Sequence, residues 1–278
     1  MKNNKEKTCL ICNEPAIRLM SDIILGKHKI NYYVCNSCEC IFTENPYWLE
    51  EAYSEAIAKT DTGIMVRNIS ICNDLMHIFN QYFDPEIKVV DFGGGYGILT
   101  RMLRDSGINA FWQDKYEKNL LSRGFEYDGK SQADVVIAFE VMEHLPNPLE
   151  TIKEIMVKTD CFIFSTLLLE QLDHKTNKEW WYFGPESGQH IFFATKKTMH
   201  KIAKLLDCKY SCINGLHILH KKDLKNRMKF SKLKALLIKV FNKLHNHLYK
   251  KSNSKTWDDH TYMKSKINKK ILFSSGNK

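Results

Sequence analysis

Glu140, Glu143 and His144 occupy positions i, i+3 and i+4 of Phe139-Glu140-Val141-Met142-Glu143-His144-Leu145-Pro146-Asn147-Pro148, so a helical turn there gathers all three on one face. Together with His190, in Gly188-Gln189-His190-Ile191-Phe192, this set can bind a divalent ion that polarises a hydroxyl group. Alternatively, His144 or His190 is a metal-free general base whose tautomer a carboxylate fixes. A structural reading also fits, with Glu143 capping the following turn and His144 satisfied by backbone. A second constellation is built on sulfur. Cys9-x2-Cys12 and Cys35-x2-Cys38 are paired knuckles with 22 residues between them, the spacing of a closed tetrahedral zinc site. Cys40 competes with Cys38 for the fourth position. A closed site has no open coordination position, so its role is structural or in recognition, and metal binding contributes directly to folding there.

The elements that must position these residues centre on Val89-Val90-Asp91-Phe92-Gly93-Gly94-Gly95-Tyr96-Gly97. A β-branched run ends in closely spaced glycines, and Leu99, Met102 and Leu103 follow at helical spacing. This predicts a buried strand, a tight turn and a helix. The spacing Gly93-x-Gly95-x-Gly97, with Asp91 two residues earlier, differs from the Gly-x-Gly-x-x-Gly of a dinucleotide turn. It resembles motif I of the class I S-adenosylmethionine (SAM)-dependent methyltransferases. The resemblance spans about half the chain and implies that Asp91, Gly93, Gly95 and Gly97 cradle SAM, the acid orienting its amino-acid end. Asp114, 23 residues after Asp91 and at the end of a second strand, then accepts hydrogen bonds from both ribose hydroxyls. Phe139 and Glu140, where the fourth strand ends, complete the cofactor side. The adenine-contact acid departs from the pattern, because only 18 residues separate Asp114 from Ala133; Glu126 and Asp128 are the candidates. Trp112 lies against the adenine or packs in the core. The Glu-x-x-Glu-His segment is similar to the post-cofactor motif of the ubiquinone-pathway O-methyltransferases and the small-RNA 3′-terminal 2′-O-methyltransferases. In both groups these residues are associated with a divalent metal, with a further histidine downstream in the RNA group, and the resemblance gives His190 that comparable place after the fifth strand.

Four regions follow. Residues 1–45 form a zinc ribbon, with Tyr32, Tyr33 and Val34 as a strand before the second knuckle. Residues 46–85 are a helical connector in which Tyr47, Trp48 and Tyr53 serve as a lid or pack a helix on the core. Residues 86–222 alternate strands and helices, an α/β pattern with a mainly parallel sheet; strands are expected at Lys88–Asp91, Ala110–Gln113, Asp134–Phe139 and Cys161–Thr166. A helix from Lys196 to Leu206 precedes strands at Lys209–Ile213 and Leu216–His220. The family resemblance implies that this sheet is Rossmann-like and that the last pair is a terminal antiparallel hairpin. Residues 223–278 are a basic amphipathic tail, with Leu233, Leu236, Leu237, Val240, Phe241 and Leu244 as its apolar series. The formal net charge of +9 is unevenly placed: residues 220–278 hold 17 Lys and Arg against three Asp, whereas residues 1–219 are net acidic.

No apolar run approaches the ~20 residues of a membrane span, and the first residues lack the apolar segment of a signal peptide. A cytoplasmic location is expected, where nine cysteines favour metal over disulfides. The leading function is SAM-dependent methyl transfer. A cysteine-rich front and a Glu-x-x-Glu-His core resemble bacterial methyltransferases of sugar and surface-polysaccharide pathways, which implies a small-molecule or glycan acceptor. The aromatics in Glu179-Trp180-Trp181-Tyr182-Phe183-Gly184-Pro185-Glu186 suit the apolar face of a sugar. The basic tail suits an anionic membrane surface, placing the enzyme at the inner face of the membrane. An RNA 2′-O-methyltransferase is the first alternative, disfavoured by the acidic residues 1–219. A non-catalytic SAM-fold scaffold is the second, disfavoured by the intact glycines and acids.

Overall fold

A computed structural model describes residues 7–53, 61–169, 180–225, 261, 262, 264 and 265. Residues 1–56 and 86–223 form one compact unit. Its first sheet is the expected one. Strands β5 (Lys88–Phe92), β6 (Asn109–Gln113), β7 (Val135–Ala138) and β8 (Cys161–Phe164) run parallel, in the order β6-β5-β7-β8. Every residue of β7 and β8 is buried, so these strands are apolar on both faces, as central parallel strands must be. Strand β12 (Leu216–His220) pairs antiparallel with β8, and β11 (Lys209–Ile213) pairs antiparallel with β12. Asn214 and Gly215 join that hairpin, both at positive φ, which a two-residue turn of matching twist requires. Helices α3 (Ile98–Asp105), α4 (Pro148–Lys158) and α5 (Lys196–Leu205) complete the alternation. The short span after Asp114 leaves a third strand reduced to one parallel bridge, Trp112 to Glu126.

The second sheet is not legible in the sequence. Strands β1 (Lys7–Thr8), β2 (Pro15–Ile24), β3 (His28–Cys35) and β4 (Ile41–Thr43) are joined by β10 (Phe192–Thr195) and β9 (Leu168–Leu169), in the order β1-β2-β3-β4-β10-β9. Phe42 pairs with Phe192 and Ile41 with Phe193. The segment 1–45, read from sequence as a small module, is therefore continuous with the region 86–222. The physical reason is that β4 carries an unpaired edge and β10 is apolar on both faces, so each satisfies the other. One apolar cluster runs from Cys9, Cys35 and Phe42 to Val136, Phe162 and Met199.

In the connector, α1 (Leu49–Ala52) belongs to this unit. A second unit takes residues 57–85 and 224–278, and its main described element is α2 (Ile64–Tyr82). Ile71, Leu75, Ile78 and Phe79 are its buried face, and Arg67 pairs with Asp61 at 2.7 Å near its start. The apolar series Leu233 to Leu244 of the tail lies outside the described residues. Among the described residues, no helix is long and apolar enough to cross a membrane.

Candidate active site

The turn between β5 and α3 is held by its neighbours, and each tie has a purpose. Gly93, at φ +73°, stands against Val141; a Cβ there would lie 2.6 Å from the Val141 Cγ2. Gly95 has φ +51°, and among the described residues nothing lies within 4 Å of a Cβ built there, so the loop is open on that side. Its peptide is clamped from both sides. Its N–H donates to Asp114 Oδ2 at 2.9 Å, and its carbonyl accepts from Trp112 Nε1 at 2.7 Å. Trp112 thus locks the cradle. Gly97 opens α3, and its carbonyl accepts from the Ser122 hydroxyl at 3.0 Å.

Asp91 is 3% exposed and accepts from the Thr100 hydroxyl at 2.7 Å, tying β5 to α3. Burial pushes its carboxyl up to about 6, against the pull of that hydrogen bond. Asp114 Oδ1 accepts from the N–H groups of Tyr116 (2.7 Å) and Glu117 (2.9 Å). A carboxylate offers about four acceptor positions, so with Gly95 counted, roughly one remains on Oδ2 for a ribose hydroxyl. Of the adenine candidates, Glu126 accepts from Asn119 and from the Gly124 N–H, and Asp128 caps the Lys130–Ser131 turn.

At the carboxyl end of β7, half-buried Phe139 leads into Glu140, which takes the left-handed conformation at φ +55°. The expected helical face does not form. Only Met142–His144 makes a 3-10 turn, and the Glu140 carboxylate turns to the Ser165 hydroxyl at 2.9 Å. The reversal at Glu140 breaks the i, i+3 relation that the spacing suggested. The structure instead gathers Glu143, His144 and His190, whose ligand atoms lie within 4.8 Å of one another.

This trio has the donor chemistry of a cation site. Glu143 is fully buried, and among the described residues neither carboxylate oxygen has a hydrogen-bond partner. An ionised carboxylate is costly in that state without a counter-charge. His144 Nδ1 lies 3.1 Å from the Gln189 carbonyl, and His190 Nδ1 lies 2.6 Å from the Tyr182 carbonyl. A carbonyl only accepts, so each Nδ1 carries a proton, and in a neutral ring Nε2 is then the nitrogen with the lone pair, as in metal-ligating histidines. The ring centroids are 4.9 Å apart. Burial, then the neighbouring His190, holds the His144 imidazole down at about 3. At neutral pH it is a ready ligand and a weak base.

Sequence reasoning missed several supports of this site. Ser165 anchors Glu140 through its backbone N–H as well as its carboxylate. Gln189 donates to the Ala52 carbonyl at 2.9 Å while its own carbonyl holds His144. Of the aromatic lid candidates, Trp48 is buried, with its indole N–H on the Gly188 carbonyl at 2.8 Å, and Tyr47 is exposed. Tyr53 is the one beside the site, edge-on to His144 at 6.0 Å and nearly parallel to Tyr116 at 6.5 Å. Burial and the Glu143 carboxylate push the Tyr53 and Tyr182 phenols up, so both stay protonated. Nothing in the spacing marked either as a neighbour of Glu143.

The four expected thiols also meet. Cys9 and Cys38 sulfurs are 3.5 Å apart, as are those of Cys12 and Cys35, and all four lie within 4.8 Å of one another. Cys40 adds a fifth sulfur, 3.4 Å from Cys9. Hydrogen bonds from Cys38 and Cys40 hold the Cys9 thiol far below its usual range. Among these residues a tetrahedral thiolate-binding ion such as zinc fits.

A glycine cradle at the end of one parallel strand, braced by an acid at the end of the next, belongs to the SAM-dependent methyltransferase class. A sequence profile described as "Methyltransferase domain" matches residues 67–212, more than half of this chain. The chain belongs to this methyltransferase family. Among solved structures it is similar to magnesium protoporphyrin IX methyltransferase from Synechocystis PCC 6803 with bound SAH, at 17% identity and TM-score 0.42, over 62% of this chain and 90% of that one. It is similar to an O-methyltransferase family 2 protein from Planctomyces limnophilus DSM 3776 in complex with apigenin, at 13% identity and TM-score 0.46, covering 65% and 63%. A methyltransferase in calicheamicin biosynthesis, in its SAH-bound form, matches at 14% identity and TM-score 0.40, covering 54% and 53%. The chain thus spans between half and two thirds of the length of the last two. No curated protein sequence matches it.

Proposed function

We propose that this chain transfers the methyl group of SAM to a hydroxyl of a sugar or glycan intermediate, with Glu143, His144 and His190 as the catalytic set. The observation that carries the reading is the buried Glu143 carboxylate, without a hydrogen-bond partner among the described residues, grouped within 4.8 Å with two histidines whose Nδ1 atoms lie on backbone carbonyls. Methyl transfer from a sulfonium asks the protein chiefly to align donor and acceptor and to remove a proton. The open side of Gly95 receives the methionine portion, Asp114 takes a ribose hydroxyl, and Asp91 stiffens the turn from beneath. Glu143, His144 and His190 hold a divalent cation, which when bound makes the acceptor hydroxyl more acidic. Glu140, fixed on Ser165, adds negative charge beside the trio without joining it. Trp181, 66% exposed and next to the Tyr182 carbonyl that holds His190, offers a ring for the apolar face of a sugar.

In this reading Cys9, Cys12, Cys35 and Cys38 hold a structural zinc. The basic residues 223–278 keep a cytoplasmic enzyme at an anionic membrane surface, near lipid-linked glycans. Removing them should abolish pelleting with anionic liposomes at low salt and leave SAM affinity unchanged; an intact protein that ignores such liposomes ends the membrane role.

The test of the active site uses His144→Ala and His190→Ala. Each should keep SAM affinity, measured by calorimetry, and lose turnover by ~10²–10⁴-fold on a panel of nucleotide sugars and glycan acceptors. Chelation should stop the wild-type reaction, and Mg²⁺ or Mn²⁺ should restore it. Full activity in excess chelator removes the cation from the mechanism. Methylation of RNA instead of glycans would favour the RNA alternative, and failure to bind SAM the scaffold.

A further inference from the structure

The thiolate cluster and the histidine pair belong to different parts of the chain, yet a short run of backbone connects them. The second knuckle closes with the Cys35 N–H on the Cys40 carbonyl at 3.0 Å, and β4 begins at the next residue, Ile41. Strand β4 pairs directly with β10. Beyond that pairing, the Thr43 N–H donates to the Ile191 carbonyl at 3.0 Å, and the Ile191 N–H donates to the Glu143 carbonyl at 2.8 Å. Ile191 is the residue after His190. Its peptide groups therefore join the strand leaving the cysteine knuckle to both His190 and Glu143.

The far end of β10 is tied to the same knuckle. The Thr198 hydroxyl, in the first turn of α5, donates to the Cys38 carbonyl at 2.9 Å and is buried. Lys197 pairs with Glu39 at 2.9 Å. Strand β10 is thus held at its start through β4 and at its end through the loop between Cys38 and Cys40. The glycine cradle is built differently, from α3 and the ends of β5 and β6, two strands of the other sheet.

We propose that the four-cysteine site is a positioning element for the histidine pair: filled, it fixes the knuckle and β4, and these set the place of His190 and Glu143. The inference rests on the reading of Glu143, His144 and His190 given above. A closed thiolate site with no chemistry of its own gains a function in this way. It also predicts an asymmetry, since loss of the thiolate-bound metal should loosen the acceptor side and spare the cofactor side.

The experiment uses the full chain with Cys12→Ser and Cys12→His, because Cys12 is the half-buried member of the four. Zinc is measured by elemental analysis, SAM affinity by calorimetry, local opening by amide hydrogen exchange over residues 188–195, and Mn²⁺ affinity by electron paramagnetic resonance. Cys12→Ser should lose zinc and bind SAM within about twofold of wild type. Its amides from Ile191 to Phe193 should exchange at least about tenfold faster, as local opening without global unfolding, and Mn²⁺ affinity should fall in parallel. Cys12→His should retain zinc and exchange like the wild type. Wild-type protection at 191–193 in the zinc-free protein overturns the proposal. So does loss of SAM binding together with zinc, since the thiolates would then support the whole domain. Fast exchange in a zinc-loaded Cys12→His protein also counts against it. A wild-type protein that binds no Mn²⁺ rejects the cation reading of the trio, while the exchange data still decide the positioning role.

Discussion

Asp91 should make the fold less stable at neutral pH than in mild acid, and Asp91→Asn should remove that cost. The carboxyl is 3% exposed, and burial raises it from an ordinary 3.8 to about 6 in the folded protein. Between these two values the native chain holds a proton that the unfolded chain has released, so stability falls as pH rises through this window. Two units at 1.36 kcal/mol each give about 3 kcal/mol, fully lost above pH about 6 and regained below pH about 4. Asparagine keeps an oxygen for the Thr100 hydroxyl without a charge. The assay is urea unfolding of both proteins from pH 4 to 8, and the difference between them isolates Asp91 from other titrating groups. Asp91→Asn should be more stable at pH 7.5 by up to about 3 kcal/mol, the advantage shrinking to near zero at pH 4. If the ionised acid orients the amino-acid end of SAM, the same variant should bind SAM more weakly, and only the wild type should gain affinity as pH rises through about 6. Two parallel stability curves, with no change in their difference across that window, would refute the argument that burial of a charge is what Asp91 costs the fold.

Gly93 and Gly95 should separate packing from ligand contact. Gly93→Ala drives a Cβ to within 2.6 Å of Val141 and should lower stability by about 1–3 kcal/mol in denaturant unfolding. A Cβ at Gly95 meets nothing within 4 Å among the described residues, so the stability loss of Gly95→Val should stay near the ~1–2 kcal/mol of a left-handed residue, whereas calorimetry should find SAM binding abolished. In the thiolate cluster, Cys38→Ser should release zinc and Cys40→Ser should keep one equivalent. The reverse pattern in elemental analysis would make Cys40 the ligand.

The local features of this chain were legible because they depend on near neighbours. A β-branched run ending in glycines can only be a strand and a tight turn, and the paired cysteine knuckles carry their ligand geometry within a few residues. Helix α5, from Lys196 to Leu205, and the hairpin around Asn214-Gly215 follow from the same short-range rules. The site was half legible. Spacing selected Glu143 and His144, and the family resemblance His190, but spacing also selected Glu140, because it assumes a regular helix and cannot foresee a left-handed residue at its first position. What only the tertiary structure decided is which edges meet. The pairing of Phe42 with Phe192 joins residues 150 apart in the chain, and no local propensity encodes it. It arises because an open strand edge and a doubly apolar strand each lower their free energy by burying against the other. That long-range choice, not the motif, links the strand leaving the cysteine knuckle to the residue beside His190.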